Sequence, residues 1–505
     1  MFFLLKTLLF IDVLMAMGLV AFRWALAPRY RDVVSPQVVV LALLTPVVAL
    51  FCGNLYLFCA YLVIAVAFNS RSRAELAGNY LFLLPLMPLL SLETGVGSIY
   101  LLAVSAVLAM NAGALVAYAV GRGGGRSLAQ PRYDMAVLLL IALFIFVYGR
   151  DASATGLLRG LTVNVLGFGA PYLLVSRALT SREDVERLLL RLLLGAFLNA
   201  ITACFQAAKH WVLFETYYQS LRVALPSTSA MLAMRGGVLR TGGSMLDYSA
   251  GGLFLAVIVA LMPLLRSRLR PLGFWMVLAV TLAGLVATQS RGAWLGAAAG
   301  LLFTAAYRGR WARAAMLAAA GLASYTLISL FATSGRLAAI AGKTEEASTT
   351  VSYRKELLSS GIDQVRAHPL LGQEPDHLVA NLSNLIQGQH IVDFVNAHLY
   401  VAMVAGVPLF LIWCLVWLMP VVGAWHRRRT PGMDLAEAPA AMIVPFLIAI
   451  GATSITDRNL IWPTVALGLA GPCFALGRKR RAEQAVERGA VSGLLAPSLV
   501  LQGAR

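Results

Sequence analysis

Charge is scarce in this chain. Of its 505 residues only 13% are Asp, Glu, Lys or Arg, 59% are hydrophobic, and the mean hydropathy is +0.78. A soluble domain needs about a quarter of its residues charged to cover its surface, so a soluble globular protein is excluded. Acidic residues are the scarcer sign, 23 against 41 basic, which leaves a formal charge of +18. That excess does not point to nucleic acid, because the basic residues fall in short clusters between apolar runs and not in one patch. There are five cysteines (Cys52, Cys59, Cys204, Cys414 and Cys473), all in apolar segments. They lack metal-type spacing and form no disulfide framework, so they read as buried thiols. No internal repeat is visible, which argues against an inverted-repeat transporter. The opening run FFLLKTLLFIDVLMAMGLVAF has neither a basic leader nor an A-x-A site, so it reads as a retained helix.

What the chain does have is apolar runs of about 17 to 25 residues, each long enough to cross a bilayer. The expected fold class is all-α: a polytopic transmembrane helical bundle of about 12 to 15 spans with a large periplasmic loop containing helices. Placing the basic clusters inside, from Arg23/Arg29/Arg31 to Arg478/Lys479/Arg480/Arg481, gives a consistent topology, with an even number of apolar runs, usually two, between consecutive clusters and a cytoplasmic C-terminal tail. It divides the chain into N-terminal spans (1–208), central spans (209–333) with a first outer loop at 209–245, a large outer loop (334–395), C-terminal spans (396–477) and a cytoplasmic tail (478–505). The tail is Ala- and Gly-rich and is expected to be disordered. Both outer loops exceed the length of an ordinary connection, so each is expected to carry function or structure of its own. The second holds His368, His377 and His390. Its segment VSYRKELLSSGIDQVRAHPLLG has helical apolar spacing at Leu357, Leu358, Ile362 and Val365, closed by Pro369 and Gly372, and predicts a surface helix.

On this map TQSRGAWLG, residues 288–296, places Arg291 at the outer end between two spans, against the positive-inside bias. A helix-end Arg that snorkels to lipid phosphate is the ordinary role. An anion site is the alternative, since guanidinium offers five donors in a fixed fork and keeps its charge. Arg222, Arg235 and Arg240 in the first outer loop, with Arg336, Arg354 and Arg366 in the second, join it on the same side. Such company at an outer surface points to an anionic ligand, and in a bacterial envelope to a lipid pyrophosphate.

At these residues the sequence resembles a family. LRTGGSMLDYSAGGLFLAV, TQSRGAWLGAAAG, YRKELLSSGIDQVRAHPLLGQEPDHL and NAHLYVAMVAGVPLFL are similar, in that order, to segments of the O-antigen ligase and Wzy-type polymerase superfamily of membrane glycosyltransferases. The likeness runs over roughly residues 235–410, about a third of the chain. Three positions depart from the family pattern. With Gly406 and Pro408 aligned, Asn396 falls on the family's Asn, His398 on its Tyr, and Val395 where it has His; Glu374 replaces the second Gly of Gly-x-Gly. These departures fit an exopolysaccharide polymerase branch.

The resemblance implies glycosyl transfer from a polyprenyl-pyrophosphate-linked glycan at the periplasmic face of the bacterial inner membrane. Its implied partners are that donor, a lipid-linked acceptor, the bilayer and a chain-length regulator; no cofactor is implied. Arg291, Arg354 and Arg240 are the candidates for the pyrophosphate clamp, with Asn396 and His377 as further substrate contacts. No Asp-x-Asp metal motif lies on the outer side, so arginine takes the place of a divalent cation and no metal ligand is assigned. Candidate bases are His398, Asp393 and Glu374, each with a plainer role: His398 satisfied by a backbone carbonyl, Asp393 capping the next helix, Glu374 solvating the loop. Trp211, Phe214, Tyr217 and Tyr218 read as an interfacial belt or a sugar-stacking platform. The competing functions are a ligase that moves the glycan to lipid A core or protein, and a lipid-linked oligosaccharide flippase.

Overall fold

A computed structural model describes residues 1–96, 99–121, 127–150, 152–224, 234–235, 237–331, 345–387, 392–454 and 456–494. The apolar runs fold as helices because a bilayer leaves no other way to satisfy the backbone within one segment. The N-terminal half holds α1 (Phe2–Ala25), α2 (Pro36–Phe51), α3 (Leu55–Phe68) and α4 (Arg73–Leu83). A hairpin of β1 (Ser91–Val96) and β2 (Ile99–Ser105) follows, then α5 (Ala106–Val120) and α6 (Pro131–Gly149). Next, α7 (Ala154–Asn164) passes through one π turn, Val165–Gly169, into α8 (Ala170–Ala178), and α9 (Arg182–Lys209) closes the half. Among the described residues eight helical segments are long and apolar enough to span a membrane, and four shorter apolar helices accompany them. The runs between 36 and 69 give two of the short ones, of 16 and 14 residues. At 1.5 Å per residue these reach only about 24 and 21 Å, so neither crosses a 30 Å core unaided.

The first long loop folds into α10 (Glu215–Leu221) and a small hairpin, β3 (Met234–Arg235) with β4 (Val238–Leu239). Phe214, Tyr217 and Tyr218 are buried in it, with Phe214 and Tyr217 edge to face, and so form core in place of the expected belt or stacking platform. Then come α11 (Tyr248–Leu265), α12 (Pro271–Ala287), α13 (Arg291–Tyr307) and α14 (Trp311–Phe331). The second loop holds the expected surface helix as α15 (Glu345–Ala367), followed by α16 (Pro375–Asn381). The chain finishes with α17 (Ala397–Arg427), α18 (Glu437–Ile450) and α19 (Asp457–Leu494). The expected tail is therefore helix through Leu494, and 495–505 lie outside the described residues, as do Arg336 and His390.

Helices α9 and α11 are buried on nearly every side and form the centre of the bundle. Against α18 and α11 the helix α13 packs through glycine: a Cβ on Gly296 would stand 2.6 Å from the Pro445 carbonyl oxygen, and one on Gly300 2.5 Å from Ala260 Cβ. Small residues four apart let helices meet backbone to backbone where no hydrophobic force separates lipid from protein. RGAWLGAAAG is thus a packing stripe with Arg291 at its head.

Candidate functional site

Five segments meet at one end of the bundle: the β3–β4 hairpin with 240–248, the turn 288–291, the part of α15 around Arg354, the irregular run 392–396, and the link 451–454. Each is fixed by local chemistry. Asp247 caps α11, its Oδ1 accepting from the backbone N–H of Ser249 and Ala250 at 2.7 and 3.1 Å. The turn before α13 is held by Gln289 in the left-handed region, φ 49°, and by Trp294 Nε1 donating to the Leu285 carbonyl at 3.0 Å. The 451–454 link is tied to both neighbours: Ser249 Oγ and Thr453 Oγ1 lie 2.7 Å apart, and Ala397 N donates to Thr453 O at 3.2 Å.

This frame gathers four arginines. Arg240 lies with Cζ 3.6 Å from the centroid of the Tyr248 ring, and its Nε is buried without a hydrogen-bond partner among the described residues. Burial pushes the Arg240 guanidinium down to about 10, Tyr248 opposing that shift and the charges of Arg235 and Arg291 adding to it. Arg240 therefore stays charged at neutral pH, at a desolvation cost that an arriving anion would offset. Arg235 Nη1 donates to the Gln289 carbonyl at 3.2 Å. Arg354 Nη2 donates to the Ala452 carbonyl at 3.3 Å. Partial burial of its guanidinium lowers the Arg354 pKa, with Asp393 pulling it up and Arg235 pushing it down. Arg291 is the first residue of α13, where the helix dipole adds positive potential. Gly292 beside it lets Ala449 and Ala452 approach closely. Next to Arg354 a cavity of about 200 Å³ opens between Leu357, Leu358, Asn396, Leu399 and Gly451.

The candidate bases separate. His398 has both ring nitrogens engaged: Nε2–H donates to the Leu447 carbonyl at 3.0 Å and Nδ1 accepts from Trp413 Nε1 at 3.4 Å. Its ring then has no nitrogen to spare for substrate. Glu374 lies 3.6 Å from His377, three residues on in α16, and that pair sits on the loop surface. Asn396, not Asp393, caps α17, its Oδ1 accepting from Leu399 N at 3.1 Å. Asp393 is instead held beside Arg354: Ser454 Oγ donates to its Oδ1 at 2.7 Å, and Tyr353 donates to its carbonyl at 3.0 Å. Ser454, Tyr353 and Tyr248 escape sequence reasoning. The sole signal for Ser454 is a polar GATS between two apolar helices.

The two glycines of the matched segments have a different task. Gly372 and Gly406 both take positive φ, 65° and 76°, and a Cβ on either would stand 2.5 Å from a carbonyl oxygen of the other segment. HPLLG thus interlocks with the break in α17. Arg150 closes the joint by donating to the carbonyls of Leu371 at 2.9 Å, Gln373 at 3.0 Å and Val404. This staple comes from the N-terminal half and has no sequence signal.

Residues 274–414 match the family model described as O-Antigen ligase, Wzy_C. No curated protein matches the chain. The matched stretch opens within α12, contains α13 and α15 with Arg291 and Arg354, and ends in α17 beyond the Gly406 break. The helices make this a multi-pass membrane protein, and its residues 274–414 are similar to the O-antigen ligase domain of the Wzy-type superfamily, whose members are glycan-transferring membrane enzymes.

Proposed function

We propose that this protein is a Wzy-type polysaccharide polymerase. It moves a glycan from polyprenyl pyrophosphate onto the sugar end of a second lipid-linked unit, at the periplasmic face of the inner membrane. The observation that carries the reading is the gathering of Arg235, Arg240, Arg291 and Arg354 at one end of a membrane bundle. The opposite end bears the basic clusters around Arg29, Arg182, Arg268 and Arg308, and the positive-inside rule puts that end in the cytoplasm.

In the reaction the acceptor hydroxyl oxygen attacks the anomeric carbon of the donor sugar. The bond from that carbon to the pyrophosphate oxygen breaks, and polyprenyl pyrophosphate leaves with the negative charge. Guanidinium forks preorganised at this end take up that charge, which is the main catalytic need when the leaving group is already good. Asp393 takes the hydroxyl proton, its orientation set by Ser454, with Arg354 beside it. A second reading, a ligase delivering the glycan to lipid A core or protein, is favoured by the matched family's description. Both use one donor site and differ in acceptor.

Glycan analysis of a deletion strain separates them. Single repeats left on the carrier or core identify the polymerase. Full-length polymer stranded on its carrier identifies the ligase. Loss of external repeats identifies a flippase and defeats both.

A further inference from the structure

The β1–β2 hairpin and α7 carry polar chemistry that the arginine cluster does not use. Arg159 lies with Cζ 4.0 Å from the centroid of the Tyr100 ring. Its Nε is buried and has no hydrogen-bond partner among the described residues. A buried N–H without an acceptor is costly, and a ligand oxygen is one way to supply it. One turn further along the same face of α7, Val163 borders a cavity of about 210 Å³. Its other walls include Ala103, Leu108, Gly167, Phe168 and Ile461. The walls are mostly apolar, and Arg159 stands one turn away on α7. Gly167 lies in the π turn, where a Cβ would meet nothing within 4 Å, so the missing side chain leaves the slot open. Such turns interrupt a regular helix and occur often at functional sites.

The slot lies on the arginine-cluster side of the bundle. Arg159 follows Arg150, whose guanidinium grips Leu371 and Gln373 there. Ile461 stands seven residues beyond Ser454, which holds Asp393. A guanidinium one helical turn from an apolar cavity suits one class of ligand, a phosphate joined to a hydrocarbon chain.

We propose that this slot seats the lipid phosphate of the acceptor substrate, with Arg159 on the phosphate and the isoprenoid chain along Val163, Gly167 and Ile461. The proposal rests on the polymerase reading above, in which both substrates are lipid-linked. The charge count fits that division. Only the donor's pyrophosphate gains charge as its bond breaks, and it meets four arginines; the acceptor's phosphate is a spectator that needs anchoring, and it meets one.

The test has a binding arm and a kinetic arm. Purified protein is offered undecaprenyl phosphate and read by native mass spectrometry, with inorganic phosphate and phosphatidylglycerol in parallel. The wild type retains two equivalents of undecaprenyl phosphate, while Arg159→Gln and Gly167→Leu each retain one. Two equivalents in both variants, or displacement of the second equivalent by phosphatidylglycerol at equal concentration, overturns the slot. In the transfer assay both variants raise the KM for lipid-linked acceptor about tenfold and leave the KM for donor in place. An equal rise in both KM values overturns the assignment to the acceptor. If the wild type transfers no glycan, the polymerase reading falls while the binding arm still judges the slot.

Discussion

At one end of the bundle Glu186, buried, collects three donors: Tyr30 OH at 2.5 Å, Arg268 Nη2 at 2.5 Å and Arg182 Nε at 2.9 Å. Glu437, also buried, takes Arg308 at 2.8 Å, and Asp134 takes Arg177 at 2.7 Å. At the other end Arg235 and Arg354 are met by backbone carbonyls and Arg240 by an aromatic face. Carbonyls and rings orient a guanidinium without cancelling its charge. An arginine paired with a carboxylate inside the fold has its charge already spent on structure. One held by neutral groups, like Arg235 and Arg240, retains net charge for a ligand, while Arg354 also faces the Asp393 carboxylate. Two uses of one residue type therefore divide the molecule, and substitutions at each end should fail differently.

The largest effect is expected at the carboxylate of the arginine end. Asp393→Asn keeps the Ser454 contact but removes the base, and transfer should fall about 10²- to 10⁴-fold while the protein still inserts. A variant with wild-type turnover would leave proton removal to water and sink the role. Arg291→Lys should come next, at about 10²- to 10³-fold in kcat, because a single ammonium lacks the fork that matches pyrophosphate. Full-length polymer from that variant would retire the clamp. At the opposite end Glu186→Gln should cost stability and spare chemistry. Removing one partner of a buried ion network costs about 3 kcal/mol, readable as a lowered thermal midpoint in detergent. If Glu186→Gln instead lost turnover with its midpoint intact, the division between ends would be wrong.

How much of this is legible in the sequence follows the same physical line. The helices are legible because apolar runs in lipid have a single backbone solution, and Arg240, Arg291 and Arg354 stand out because charge is rare in such a chain. The β1–β2 hairpin is not, since SLETGV is short and lacks a strand's regular alternation, and IYLLAVS is as apolar as the spans around it. The role of His398 is hidden because its two partners, Leu447 and Trp413, are set by how α17 meets α18 and by its own turns. Sequence spacing offers Asp393 as a cap for α17. Only the position of Ser454, 61 residues away, reveals that it is held for another purpose.

The smallest effect tests the comparison most finely. Tyr248 meets Arg240 through its ring face, so Tyr248→Phe keeps the quadrupole and loses only the hydroxyl. Tyr248→Leu removes the ring and lets the guanidinium drift. Cation–π contacts are worth about 0.5 to 2 kcal/mol, which predicts a loss of roughly twofold to thirtyfold in kcat/KM for Leu and little change for Phe. The split matters because a carboxylate would hold Arg240 equally well. Tyr248→Glu should fix the guanidinium in place and still lose activity, since it would convert the arginine of this end into the paired kind found at the other. If Tyr248→Glu were as active as wild type, position alone would matter and net charge would not. The contrast between the two ends would then reduce to geometry.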